Sequence, residues 1–186
     1  DIVIAHGGDL SLYSGGTDRI SHFASGLSRN GYNVLLVTIE PENEFPPLLR
    51  DVEKITVPSP SNNLRSQPIR AYRITKKVNE YVRKSDEDPV VQIEHSTLGG
   101  VYALNSNTRF VLDIHDLGYL SPTYSDLFMG EYLSHIIKML ETKGIKDSEY
   151  TITASDEMSK KIQEEMSNIE NSKVISNGVS LDKYDH

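Results

Sequence analysis

Cysteine is absent from the 186 residues, which excludes disulfide bridges, cysteine-ligated zinc fingers and thiol nucleophiles. The chain also lacks any apolar run near the roughly 18–20 residues that a transmembrane helix requires, and its mean hydropathy is -0.41. No dense Lys/Arg cluster is present and the formal net charge is -8, so nucleic-acid binding is not expected. No signal peptide is visible. We expect a cytoplasmic globular protein, and peripheral attachment to a membrane stays open.

Two familiar signatures are missing as well. The dinucleotide pattern G-x-G-x-x-G does not occur, although two adjacent glycines, Gly15 and Gly16, follow the first apolar segment. The hydrolase pattern G-x-S-x-G is also absent, and no Ser/His/Asp order suggests a hydrolase. The glycine pair therefore requires another explanation.

Short apolar segments alternate with amphipathic ones along the chain. Residues 1–5 (DIVIA) predict a buried strand, and an apolar face at helical spacing predicts a helix after it, at Ile20, Phe23, Ala24 and Leu27. Further strands are predicted near residues 34–38, 54–58, 89–94, 109–115, 150–155 and 173–179, and a polar surface loop over 59–68. This alternation predicts a doubly wound α/β domain with a mainly parallel sheet.

Polar or small residues follow five of the predicted strands. They are His6 and Gly7, then Glu94, His95 and Ser96, then His115 and Asp116, then Ser155 and Asp156, and finally Asn177 and Gly178. In such sheets ligands bind beyond the carboxyl ends of the strands, so these residues predict a ligand cleft. The alternative is that polar residues simply end the strands.

Four segments resemble retaining glycosyltransferases of family 4. Residues 14–38 (SGGTDRISHFASGLSRNGYNVLLVT) resemble the first loop, helix and second strand of that family, and residues 110–117 (FVLDIHDL) resemble its strand that ends in histidine. Residues 150–162 (YTITASDEMSKKI) and 173–185 (KVISNGVSLDKYD) resemble two later segments, in the right order. The resemblance implies a Rossmann-like domain, the N-terminal, acceptor-side half of a GT-B architecture.

The resemblance has two departures. The second Rossmann-like domain of the family, which holds most of the nucleotide-sugar through paired glutamates, has no counterpart in residues 1–186. We therefore expect a single domain here, a donor-binding C-terminal domain elsewhere, and little or no activity or nucleotide binding by the fragment alone. Asp1 in place of Met suggests that the natural chain starts earlier. Asp18 replaces the usual Glu of the family, and we assign it a structural role.

The start of the first helix and the end of the strand before His115 supply the first site residues. Unpaired N–H groups at a helix N-terminus suit a phosphate, so Gly15, Gly16 and the N–H of Thr17 are predicted to face the donor diphosphate. The alternative is a turn in which Thr17 or Asp18 caps the helix. The resemblance implies that His115 is catalytic and lies near the transferred sugar. The alternative is a histidine that donates to a backbone carbonyl.

The remaining candidates are assigned to the acceptor side of the cleft: His6, Glu94, His95, Asp116, Ser155 and Asn177. Asp116 is expected to orient His115 or to bind an acceptor hydroxyl, whereas Asp113 is expected to point elsewhere. Ser155 also fits a helix cap. A metal cluster would require three or four convergent ligands, and GT-B enzymes usually need no metal for chemistry, so we predict no metal and no other cofactor.

These observations favour transfer of a hexosyl group from a nucleotide-sugar to an unknown hydroxyl acceptor, with retained configuration. Two alternatives stay open. Residues 5–9 (AHGGD) faintly resemble the AHPDD motif of zinc deacetylases, which suggests a metal-dependent sugar deacetylase. The other is a non-catalytic nucleotide- or sugar-binding module.

Overall fold

A computed structural model describes residues 1–59, 66–124, 129–166, 169 and 171–177. Most of the predicted loop over 59–68, and Gly178 of the predicted Asn177–Gly178 turn, lie outside these residues. No helix in the described part is long and apolar enough to cross a membrane.

The described strands form one parallel sheet in the order β3-β2-β1-β4-β5-β6-β7. They are β1 (Ile2–His6), β2 (Val34–Ile39), β3 (Glu53–Val57), β4 (Val90–Glu94), β5 (Phe110–Ile114), β6 (Tyr150–Thr153) and β7 (Ser172–Val174). The strand order reverses between β1 and β4, where His6 is in register with Glu94 at the carboxyl ends. This confirms the predicted doubly wound, Rossmann-like sheet and places the switch point, where such sheets bind ligands, between those two strands.

Helices cover both faces of the sheet because alternate strand side chains point to opposite faces. The helices are α1 (Gly15–Arg29), α2 (Gln67–Val82), α3 (Ser96–Asn105), α4 (Gly130–Asp147) and α5 (Asp156–Glu165). On β1, Ile4 packs in a cluster with Ile20 of α1. Its neighbours Val3 and Ala5 belong to the larger cluster on the other face, with residues of α2 and α3.

The cap of α1 differs from the alternative given by the sequence, in which Thr17 or Asp18 caps the helix. The cap is Ser14, whose Oγ accepts from the Thr17 N–H at 3.1 Å, while Thr17 Oγ1 accepts from the Ser14 N–H at 2.9 Å. This reciprocal pair is a capping box, so neither Thr17 nor Asp18 is the cap residue. Asp18 lies in the first turn, where a negative charge suits the helix dipole. At the other end Gly31 has φ 87°, a left-handed conformation that glycine adopts without steric cost.

Helices α3 and α4 pack backbone against backbone. A Cβ atom added to Gly100 would lie 2.2 Å from the Leu140 carbonyl oxygen, and one added to Gly144 would lie 2.6 Å from the Gly100 nitrogen. Any side chain at these positions would push the helices apart, so the crossing depends on glycine in both. The close crossing holds Glu141, one turn before Gly144, against the N-terminal end of α3.

Candidate active site

Three imidazole rings lie in a row at the switch point. The ring of His95 is 4.9 Å from that of His6 and 5.1 Å from that of His115, measured between centroids. His95 follows β4 with φ 79° and ψ 134°, a conformation that glycine adopts far more readily than other residues. Such strained residues cluster at functional sites because surrounding structure must hold them.

One ring nitrogen of His115 lies against two buried carboxylates. Its Nε2 is 2.7 Å from Glu94 Oε2 and 3.7 Å from Asp113 Oδ1, as close ion pairs without well-aligned hydrogen bonds. Burial alone would lower the pKa of His115, but Asp113 and Glu94 raise it to about 9. The ring therefore carries a positive charge at neutral pH. The prediction that Asp113 points elsewhere was wrong: residues two apart on a strand share a face.

Arg19 completes the charge balance and was missed from the sequence. Its guanidinium donates to both carboxylate oxygens of Asp113, with its shortest contact of 3.0 Å from Nη2 to Oδ2. Its Nη1 donates to the Ile175 carbonyl at 2.7 Å and to Asn177 Oδ1 at 3.2 Å. Two cations thus balance the carboxylates of Glu94 and Asp113. Arg19 also ties the segment after β7 to the site.

The glycine turn lies against His115. A Cβ atom on Gly16 would lie 3.2 Å from His115 Nδ1. Among the described residues none accepts from the N–H groups of Gly15 and Gly16, whereas the Thr17 N–H is taken by the cap. The site therefore offers two backbone donors rather than the three predicted. The structure places Gly16 beside His115 and Gly15 beside Asn177.

The resemblance implied a catalytic His115 near the transferred sugar, but the structure buries this side chain. Its side chain is 7% exposed, and both ring nitrogens are shielded from solvent. The Nδ1 atom of the ring faces Gly16, while the carboxylates of Glu94 and Asp113 lie beside Nε2. This arrangement is an oriented dipole whose positive end lies beside the start of α1.

Two of the predicted cleft residues lie behind the cleft instead of lining it. Glu94 is 1% exposed and accepts from Gln92 Nε2 at 2.6 Å, so it is a buried counter-charge for His115. His6 is 2% exposed, and burial together with the neighbouring His95 and His115 lowers its pKa well below the usual value. Strand-end position alone could not reveal this depth.

His95 and Asp116 form an accessible polar pair at the site. The His95 side chain is 29% exposed, and its Nδ1 lies 3.7 Å from Asp116 Oδ1. Hydrogen bonding from His95 lowers the pKa of Asp116. Asp116 was expected to orient His115 or to bind an acceptor hydroxyl. In the structure it pairs with His95.

A cavity of about 530 Å³ adjoins this pair. Asp116 and Ser155 both line it, together with apolar residues that include Leu117, Leu120 and Met158. Ser155 also caps α5, because its Oγ accepts from the Met158 N–H at 3.1 Å. Asn177 lies at the other side of the site, with its Nδ2 3.9 Å from a Cβ placed on Gly15. The predicted candidates therefore meet at one edge, with Asp116 and Ser155 on one side and Asn177 on the other.

Glu94, Asp113 and His115 could in principle supply metal ligands. One ligand atom from each lies within 4.8 Å of the others. The Arg19 guanidinium, however, already binds both oxygens of Asp113, and a metal ion there would face a fixed cation. The charges are balanced without a metal, so the donor set fits one poorly.

Comparison with known families decides the relationship. The model of Glycosyltransferase Family 4 matches residues 13–183. The chain belongs to glycosyltransferase family 4. The stated resemblance is thereby confirmed. A comparison of this family 4 domain with curated proteins found no significant match.

Solved structures share the fold of this family 4 domain at low sequence identity. Sucrose-phosphate synthase from Thermosynechococcus elongatus aligns with a TM-score of 0.71 and 15% identity, over 98% of this chain and 49% of that one. WaaG, a glycosyltransferase involved in lipopolysaccharide biosynthesis, aligns at 0.70 and 14%, over 98% and 46%. Anabaena HepE in complex with UDP-glucose aligns at 0.66 and 16%, over 99% and 46%. The chain thus spans about half the length of each.

Proposed function

We propose that this family 4 domain is the acceptor-side half of an enzyme that transfers a hexosyl group from a nucleotide-sugar to a hydroxyl acceptor. The observation that carries the proposal is the contact between Gly16, at the start of α1, and the buried imidazolium of His115. The UDP-glucose complex of HepE, a structure with the same fold, supports a nucleotide-sugar donor. We propose that a C-terminal domain outside residues 1–186 holds most of that donor.

The leaving diphosphate gains negative charge as the glycosidic bond breaks. We propose that the N–H groups of Gly15 and Gly16 donate to it, because the start of α1 carries the positive end of the helix dipole. The Thr17 N–H stabilises the cap and supports this geometry indirectly. Preorganised donors of this kind are the largest contribution in many enzymes that stabilise a developing anion.

His115 acts in this proposal through its charge. Its nitrogens are covered, so the imidazolium does not donate directly to a sugar hydroxyl in this arrangement. It raises the positive potential behind Gly16, and a low-dielectric surrounding strengthens that effect. Glu94, Asp113 and Arg19 hold the ring in place and keep the whole group neutral. We propose that no metal or other cofactor is required, because the start of α1 and the charge of His115 behind it would stabilise the diphosphate.

The acceptor is proposed to enter beside His95 and Asp116. Both side chains are accessible, and the cavity lined by Asp116 and Ser155 lies next to them. A carboxylate paired with an imidazole can accept a proton from an acceptor hydroxyl and position it. Asn177 lies beside Gly15 and is proposed to contact the donor side of the cleft. With the donor leaving group and the acceptor on one face, we propose retention of configuration.

The test uses the protein that contains this chain. Purified enzyme is incubated with a panel of nucleotide-sugars that includes UDP-glucose and with an acceptor panel, and the released nucleoside diphosphate and the product anomers are measured by coupled assay and proton NMR. Gly16→Ala adds a methyl group 3.2 Å from His115 Nδ1 and should reduce kcat/KM by about 100-fold, as a displaced reacting group does. Gly26→Ala is the control, since nothing lies within 4 Å of its added Cβ.

Three outcomes would contradict the proposal: no transfer with any nucleotide-sugar, inversion at the anomeric carbon, or equal activity of Gly16→Ala and Gly26→Ala. The isolated 186-residue chain should bind UDP-glucose weakly or not at all by calorimetry. Tight binding would contradict the assignment of the main donor site to another domain.

The two alternatives find less support. In the deacetylase alternative Asp9 of the AHGGD segment would bind a metal, but its oxygens accept from the Ser11 N–H and Oγ and from the Glu42 N–H. Asp9 therefore stabilises the turn after β1. The non-catalytic module remains testable by the same transfer assay.

A further inference from the structure

One buried carboxylate joins the first turn of α3, which follows His95, to the segment that follows His115. Glu141 lies in the middle of α4 and is 0% exposed. Its Oε1 accepts from Ser96 Oγ at 2.7 Å, from Thr97 Oγ1 at 3.0 Å and from the Gly118 N–H at 2.8 Å. Its Oε2 accepts from the Tyr119 N–H at 3.4 Å. Four donors, two from the first turn of α3 and two from the segment after His115, therefore converge on a single side chain.

Both pairs of donors lie shortly after a site histidine in the sequence. Ser96 and Thr97 follow His95, and Gly118 and Tyr119 come three and four residues after His115. Ser96 Oγ also lies 3.2 Å from the Asp116 carbonyl oxygen, so the first turn of α3 contacts the segment after His115 through Ser96. A buried carboxylate demands such partners, since leaving it without hydrogen bonds is costly.

The local sequence is adapted to this carboxylate. A Cβ on Gly118 would lie 2.8 Å from Glu141 Oε1, so a larger residue would displace the carboxylate. The contact of Gly100 and Gly144 fixes where α4 crosses α3 along its length. His95 is held at φ 79° directly before Ser96, and the hydrogen bonds of Ser96 and Thr97 to Glu141 oppose relaxation of that backbone.

We propose that Glu141 is a positioning residue that sets the separation and orientation of His95 and His115. It touches no substrate in this arrangement and acts through the first turn of α3 and the segment after His115. Its catalytic consequence rests on the proposed sugar transfer, whereas its effect on the histidines does not.

The test compares four forms of the protein: wild type, Glu141→Ala, Glu141→Gln and Ile145→Ala. Ile145 is buried on the same helix, one turn further on, and is the control for a general loss of packing. The Cε1–H NMR signals of His95 and His115 are assigned with His95→Gln and His115→Gln. The kinetic readout is kcat and KM for sugar transfer.

Glu141→Ala should shift the signals of both histidines and reduce kcat at least about tenfold with a smaller change in KM, since the reacting geometry is lost. Glu141→Gln retains an acceptor oxygen for three of the four donors and should restore most of both properties. Ile145→Ala should lower stability but leave both signals in place. Unchanged signals in Glu141→Ala, or equal shifts in Ile145→Ala, would overturn the proposal.

If Glu141→Ala does not fold, Ser96→Ala decides the question. It removes the hydrogen bond of Ser96 Oγ to Glu141 and the contact of Ser96 Oγ with the Asp116 carbonyl oxygen, so the His95 signal should shift most and the His115 signal less. Shifts of neither signal would again overturn the proposal. If wild-type protein transfers no sugar, the proposed function fails, and the NMR comparison still tests the positioning role.

Discussion

The crossing of α3 and α4 gives a stability prediction whose sign is opposite to that of helix propensity. Alanine favours a helix over glycine by about 1 kcal/mol, so propensity alone predicts that Gly144→Ala stabilises the protein. Its Cβ would lie 2.6 Å from the Gly100 nitrogen and 2.7 Å from the Gly99 carbonyl carbon. Both are backbone atoms that cannot rotate away, so the helices must move apart by roughly 1 Å to reach ordinary contact distance.

Overpacking of this kind costs about 1–3 kcal/mol. Movement of Glu141, one turn away, weakens its hydrogen bonds at about 0.5–1.5 kcal/mol each. We therefore expect Gly144→Ala to lose about 2–3 kcal/mol of unfolding free energy after the propensity gain of about 1 kcal/mol is subtracted.

The assay is urea unfolding followed by circular dichroism, with Gly26→Ala as the matched control. Gly26 is also inside a helix, but its added Cβ meets nothing within 4 Å, so this variant should gain about 0.5–1 kcal/mol. The two identical substitutions should thus change the midpoint in opposite directions. A Gly144→Ala protein as stable as wild type would refute the backbone contact.

Three further predictions concern the buried charges. The pKa of His115 is raised to about 9, so its charge stabilises the fold fully below about pH 6.5. Up to roughly 3 kcal/mol of unfolding free energy is lost as the pH rises through 9. The His115→Gln variant should not show this alkaline loss in urea titrations at several pH values. The lowered pKa of His6 has the opposite sign, since the unfolded chain takes up a proton first as pH falls below about 6.5; His6→Leu should therefore reduce the acid sensitivity of the melting temperature. Arg19→Met leaves the buried Asp113 without the guanidinium that binds it and should lower the unfolding free energy by about 3–5 kcal/mol, measured by thermal unfolding. Arg29→Met, at the exposed end of α1, is the control. A loss of stability in Arg19→Met no larger than that in Arg29→Met would contradict the buried pair.

The sheet and the edge that carries the site were predictable because both follow from short-range patterns. Apolar runs such as Val34 to Thr38 predict buried parallel strands, and His95 and His115 follow strands whose carboxyl ends must meet. Asp113 could also have been found, since it shares a strand face with His115 two residues later.

The partners on helices could not be predicted in the same way. Arg19 lies on α1 and Glu141 on α4, and which of their faces meets the strand ends depends on how each helix is rotated and how closely it packs. That rotation is set by contacts such as Gly100 against Gly144, between residues far apart in sequence. The depth of His6 and Glu94 has the same cause, because the surrounding loops and helices decide which strand ends stay open.

The backbone of His95 has a consequence for engineering. A non-glycine residue at φ 79° costs of the order of 1–3 kcal/mol, so His95→Gly would relax the turn even though it deletes an accessible imidazole. A library sorted only for heat resistance should therefore enrich glycine at this position, while one sorted for turnover should retain histidine. Opposite outcomes of the two selections at a single codon would show how much rigidity the protein forgoes to keep that ring in place.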